Sequence, residues 1–149
     1  MQLLHDRVYE KIVEDIVRDR HFRMMKKVYH HRDSVYEHSL RVSYLSYKLA
    51  KKLNLDYISA ARGGLLHDFF LYDWRKEGKL RRKKFFEKHG FTHAAISLRN
   101  AEKHFKLNDK ERDIILKHMF PLNIAPPRTA ESWLVMLVDK YVAARDYLV

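Results

Sequence analysis

Gly63-Gly64-Leu65-Leu66-His67-Asp68 sets an adjacent His and Asp at the end of a small, apolar run, where an isolated polar side chain is expensive to bury. The two glycines lack a Cβ, so the segment carrying the doublet can approach a neighbour closely. Outward from the doublet, single His or Asp residues recur on what the spacing predicts to be successive core helices: His38, His93, His118 and Asp139. Together these side chains are candidate metal ligands within one small domain.

The helical reading comes from periodicity. Apolar residues recur at three- and four-residue spacings along almost the whole length, as in Val8, Ile12, Ile16 and again in Val35, Val42, Leu45, Leu49, and alternating strand patterns are missing. Ser34-Val35-Tyr36-Glu37 and Asn108-Asp109-Lys110-Glu111 match the capping box, in which side chains at the first and fourth positions satisfy orphan amides. Asn54 can end a helix and Asp56 begin the next, while Thr92 and Thr129 are plausible caps for the helices carrying His93 and Asp139. Pro121, Pro126 and Pro127 mark the last connection. The expected helices lie near 3–28, 34–53, 56–71, 92–106, 109–119 and 130–147, with the basic stretch 73–90 as a loop or short helix. The expected fold class is therefore all-α, a single-domain bundle of about six helices: residues 1–33 form an N-terminal helix and connection, and 34–149 the ligand-bearing core.

Helical spacing turns the candidates inward. His38 lies three residues after Val35 and four before Val42, on the stripe that faces the core. Asp139 lies four after Val135 and three before Val142, so a carboxylate enters the interior, where an unpaired charge costs several kcal/mol. His118 follows Ile114 and Ile115 at the same spacings. A divalent cation resolves the problem by neutralising Asp68 and Asp139 while accepting the lone pairs of neutral imidazoles.

Composition narrows the chemistry. The chain has 149 residues and no cysteine, so disulfides, thiolate clusters and cysteine nucleophiles are excluded and any transition metal must be held by imidazole and carboxylate. The N-terminus lacks the pattern of a signal peptide and the longest apolar run, Trp133 to Val138, is too short to span a bilayer, so a cytoplasmic protein without membrane contact is expected. Thirty Lys and Arg against nineteen Asp and Glu give a formal charge of +11, a field that attracts phosphate-bearing molecules of any size. The densest block, Arg75 to Lys88, reads either as a solvated face or as an anion-binding surface. Phosphate loops, dinucleotide fingerprints, HExxH and GxSxG are missing.

The ordered set His38, His67-Asp68, Asp139 resembles the HD-domain metal-dependent phosphohydrolases, and His93 and His118 resemble the two intermediate histidines of that family's binuclear members. The resemblance covers roughly Ser34 to Tyr147. It implies an HD-type helical bundle and a phosphohydrolase that cleaves a nucleotide or related phosphate ester or anhydride by metal-activated hydroxide, with His67 and Asp68 catalytic. It further implies a first metal on His38, His67, Asp68 and Asp139 and a second on His93 and His118 with Asp68 bridging. The cofactors it implies are divalent ions, two in number, with Fe or Mn ahead of Zn, Ni or Mg, since imidazole and carboxylate do not themselves choose. Arg41, one turn after His38, and Lys88 and His89 are candidate binders of substrate phosphate. Phe69, Phe70, Tyr72 and Trp74 offer a stacking platform, although covering the end of the bundle is the preferred role. No catalytic role falls to His5, His21, His30, His31 or His104.

The alternative is a basic, non-catalytic helical module that binds nucleic acid or an acidic partner, with a structural metal or none. The expected partner on the enzyme reading is a small phosphate-bearing substrate. The sequence sets no oligomeric state.

Overall fold

The computed structural model describes residues 6–30, 33–70 and 93–148; the basic stretch 73–90, with Lys88 and His89, and Tyr72, Trp74 and Thr92 lie outside the described residues. Helix α1 (Arg7–Arg18) opens at Asp6, whose carboxylate accepts from the Tyr9 amide, and buries Tyr9, Val13 and Ile16 along one face. The single helix expected over 3–28 is broken at Asp19. That residue is extended (φ −65°, ψ 132°) and its side chain accepts from the Phe22 amide, starting a short α2 (Arg20–Arg23) that runs into a 3₁₀ turn at Met24–Lys27. A carboxylate one methylene from the backbone competes with the helical ladder, and the break lets Phe22 and Met25 enter the core.

Two residue pairs then meet as an antiparallel bridge, β1 (Tyr29–His30) with β2 (Asp33–Ser34), with Tyr29 opposite Ser34. A ladder this short needs no alternating pattern, and the fold class is all-α. Ser34 caps α3 (Val35–Lys52) by accepting from the Glu37 amide. Asn54 adopts a left-handed conformation (φ 56°), a region that Asn tolerates better than most side chains, and Asp56 then caps α4 (Tyr57–Leu66). Helix α5 runs over 93–104. The Asn108–Glu111 capping box is complete in both directions at the start of α6 (Asp109–Lys117), and the Thr129 hydroxyl accepts from the Ser132 amide at the start of α7 (Ala130–Leu148).

Helix α4 is the axis of the bundle, packed against α1, α3, α6 and α7. One apolar cluster gathers α1, α2 and the α4 residues Ala61, Leu65 and Leu66, and a second joins Val42, Ala60, Ile114, Val135 and Val138. The close approach expected of the glycines is present. A Cβ on Gly64 would sit 3.1 Å from the Ser43 Cα, and one on Gly63 would sit 2.7 Å from Ile114 Cγ2. Polar links pin the same axis: Tyr9 Oη donates to Ser43 Oγ (2.8 Å), which donates to the Ala61 carbonyl (2.6 Å). Arg62 forms a bidentate pair with Asp15 (2.6 and 2.9 Å) and reaches buried Glu111 at 3.2 Å.

Candidate metal centre

Each ligand candidate stands where a helix begins, ends or turns its core face. His38 is in the first turn of α3, and Asp139 is midway along α7. The helix expected over 56–71 stops at Leu66, so His67 is its C-cap and Asp68 lies in the turn beyond. His93 begins the described part of α5, and His118 is the C-cap of α6. The two C-cap histidines share one device. His67 Nδ1 meets the Gly64 carbonyl, and His118 Nδ1 meets the Ile115 carbonyl at 2.7 Å, in each case three residues back. Helix ends leave such carbonyls without intrahelical donors. A proton on Nδ1 satisfies them, which turns Nε2 of both rings toward the carboxylates.

Around these rings the two aspartates divide the cluster. Asp139 Oδ1 lies 2.8 Å from His38 Nε2 and 3.0 Å from His67 Nε2. Asp68 presents Oδ2 to His67 Nε2 at 3.2 Å and Oδ1 to His93 Nε2 at 2.6 Å and His118 Nε2 at 3.2 Å. Two groups of potential donors result, His38, His67, Asp68 and Asp139 on one side and Asp68, His93 and His118 on the other, and the donor atoms within each lie within 4.8 Å of one another. Asp68 belongs to both. The structure thus brings together every one of the six residues singled out by the sequence.

The electrostatics test whether cations fit. Burial works against ionising Asp68 and Asp139, yet the imidazoles around them prevail and hold both well below the usual carboxylate range. Burial likewise opposes a charged His67, but the two carboxylates outweigh it and raise that ring well above its ordinary value. His118 goes the other way: burial lowers it, and Asp68 does not compensate. A neutral His118 with its proton on Nδ1 therefore aims a lone pair at an ionised carboxylate, and its buried Nε2 makes no hydrogen bond. Lone pair against anion is repulsive unless a cation lies between them. The donor set, all imidazole nitrogen and carboxylate oxygen, suits divalent transition ions.

The substrate-binding candidates fare differently. Arg41 lies on α3 but its guanidinium is engaged by Asp146 of α7 at 2.7 Å and approaches Glu37 at 3.9 Å, which makes it a brace between α3 and α7. Lys88 and His89 lie outside the described residues. Phe69 and Phe70 are buried, Phe70 with its ring against His93 (4.3 Å between centroids) and Phe69 against Phe22 and Phe105, so they cover the end of the bundle as preferred above. The sequence reading did not single out Lys140, which donates to the His118 carbonyl at 3.2 Å and ties α7 to the second ligand group. Its position next to Asp139 was the available signal. The Gly64 and Ile115 carbonyls, which set the histidine tautomers, have no side-chain signature at all.

Among the described residues no helix is long and apolar enough to cross a membrane. No curated protein and no solved structure matches the chain. A family model described as HD domain matches residues 35–144, a span that contains all six clustered residues.

Proposed function

Because the chain belongs to the HD-domain family and carries the full His and Asp cluster, we propose that it is a metal-dependent phosphohydrolase acting on a nucleotide or a related phosphate ester or anhydride. The observation that carries this reading is the sharing of Asp68, whose two carboxylate oxygens face different sets of imidazoles. His38, His67, Asp68 and Asp139 would hold one divalent ion, and His93 and His118 with Asp68 a second. When bound, such ions supply Lewis-acid activation of a phosphoryl oxygen and of water. Fe or Mn rank ahead of Zn, Ni or Mg.

The chain's own contribution is placement. Gly64 and Ile115 hold protons on the far nitrogens of His67 and His118, so both rings enter as preset donors and pay little reorganisation. The four imidazoles have side chains no more than 7% exposed, whereas Asp68 and Asp139 are 15% and 16% exposed. A substrate phosphate therefore approaches at the carboxylate edge, and it does so in the field of a chain with a formal charge of +11. Lys140, lowered by burial despite the neighbouring Asp139, keeps the His118 turn fixed against α7.

The test is hydrolysis of nucleoside mono-, di- and triphosphates and dinucleoside polyphosphates by chain loaded with Mn²⁺. Phosphate release is expected, falling by more than about 100-fold in His67→Ala and Asp68→Ala, a scale that even outer partners of a metal reach, with unchanged circular dichroism. Undiminished hydrolysis in both folded variants would overturn the assignment.

A further inference from the structure

A second donor cluster stands apart from the family site. His21 of α2 stacks on His104 of α5, with ring centroids 4.1 Å apart and an interplanar angle of 25°. Asp19, just before α2, has Oδ1 at 3.7 Å from His21 Nδ1. One donor atom from each of the three lies within 4.8 Å of the other two. Asp19 and His21 precede the stretch matched by the family model, and the group shares no residue with the six ligands described above.

We propose that Asp19, His21 and His104 form a separate transition-metal site that clamps the N-terminal segment to the end of α5. Two imidazoles and a carboxylate are donors of the kind that bind Zn²⁺, Ni²⁺ or Cu²⁺ in preference to Ca²⁺ or Mg²⁺, and three protein ligands leave a fourth position for water. All three side chains are partly exposed, so an ion reaches them from solvent. Asp19 already caps α2 through Oδ1, and a carboxylate has lone pairs enough for both duties. The ion would close a long loop of chain, so it stabilises the fold by removing freedom from the unfolded state. His104 also packs against Phe69, the residue that follows the His67-Asp68 doublet, with centroids 6.0 Å apart.

This inference is independent of the proposed hydrolase activity and is read by metal stoichiometry. Zn²⁺ is titrated into the full chain in competition with a chromophoric chelator, for wild type, His21→Ala, His104→Ala and Asp68→Asn. The expected result is one equivalent beyond those of the centre, whose affinity falls at least tenfold in each histidine variant and which survives in Asp68→Asn. Equal stoichiometry and affinity in wild type and both histidine variants would overturn the site, as would loss of that equivalent in Asp68→Asn alone, which would assign it to the centre. Should either alanine variant lose its fold, ring-nitrogen NMR of wild type decides. Zn²⁺ is expected to shift the His21 and His104 nitrogens, and unshifted nitrogens overturn the proposal.

Discussion

His67 is the residue on which a proton and the proposed metal would compete. Without metal, burial opposes its charge but Asp68 and Asp139 prevail, so at neutral pH a proton on Nε2 occupies the place between the carboxylates. A raised folded-state value means that the stabilisation is complete below the unfolded-state value, about 6.5, and is lost as pH climbs through the higher folded one. Chelated protein is therefore expected to melt at progressively lower temperature as pH rises above neutrality, and metal uptake at neutral pH to release a proton, which calorimetry reads as a heat that varies with buffer ionisation enthalpy. Melting that is flat with pH, together with heats indifferent to buffer, would count against this view. At this scale the sequence was informative because inward-facing His and Asp are costly and therefore noticeable: His38 and Asp139 stood out by spacing alone. The tautomers were not readable, since they depend on the Gly64 and Ile115 carbonyls, and neither was the pairing of Arg41 with Asp146, which lies far away in sequence.

Helix α4 works as an axis because two of its residues have no side chain. A methyl on Gly64 meets the Ser43 backbone at 3.1 Å, where nothing can rotate aside, so Gly64→Ala is expected to cost about 1–3 kcal/mol by overpacking and to resist rescue by substitutions on α3. Gly63 differs, since its obstacle is the Ile114 side chain at 2.7 Å. Gly63→Ala and Ile114→Ala should each destabilise, and the double variant should lose less than their sum; strict additivity in denaturant titrations would show that the contact is not the cause. Arg62 offers a second element-level test. It pairs with Glu111, which is 3% exposed, so Arg62→Ala strands a buried carboxylate at a cost of about 3–5 kcal/mol, while Arg62→Ala with Glu111→Gln should recover part of that loss in the same titration. Helix positions were readable from caps and periodicity, although the helix expected over 56–71 ends at Leu66, where His67 becomes its C-cap. The break at Asp19 was missed although the apolar spacing lapses across it, with six residues from Ile16 to Phe22, and the local capping bond to Phe22 marks the interruption.

The whole molecule gathers ligands from α3, α4, α5, α6 and α7 at one point, so fold and centre stabilise one another, and stripping the metal is expected to lower the melting temperature as well as abolish hydrolysis. The formal charge of +11 should make kcat/KM for an anionic substrate fall as ionic strength rises, because screening shortens the reach of the field; a salt-independent kcat/KM would contradict steering. Charge was legible from composition, but which surface bears the Arg75 to Lys88 block lies outside the described residues. The proposed two-ion centre depends above all on Asp68 serving two groups of imidazoles at once. The most direct measurement of that claim is metal content per chain by inductively coupled plasma mass spectrometry, made in a His104→Ala background so that the outer cluster contributes nothing. About two equivalents are predicted in that background, about one after adding His118→Ala, and none after adding Asp68→Ala, with the fold retained by circular dichroism. Two equivalents persisting without Asp68, or no metal taken up by the intact centre from Mn, Fe or Zn, would contradict it.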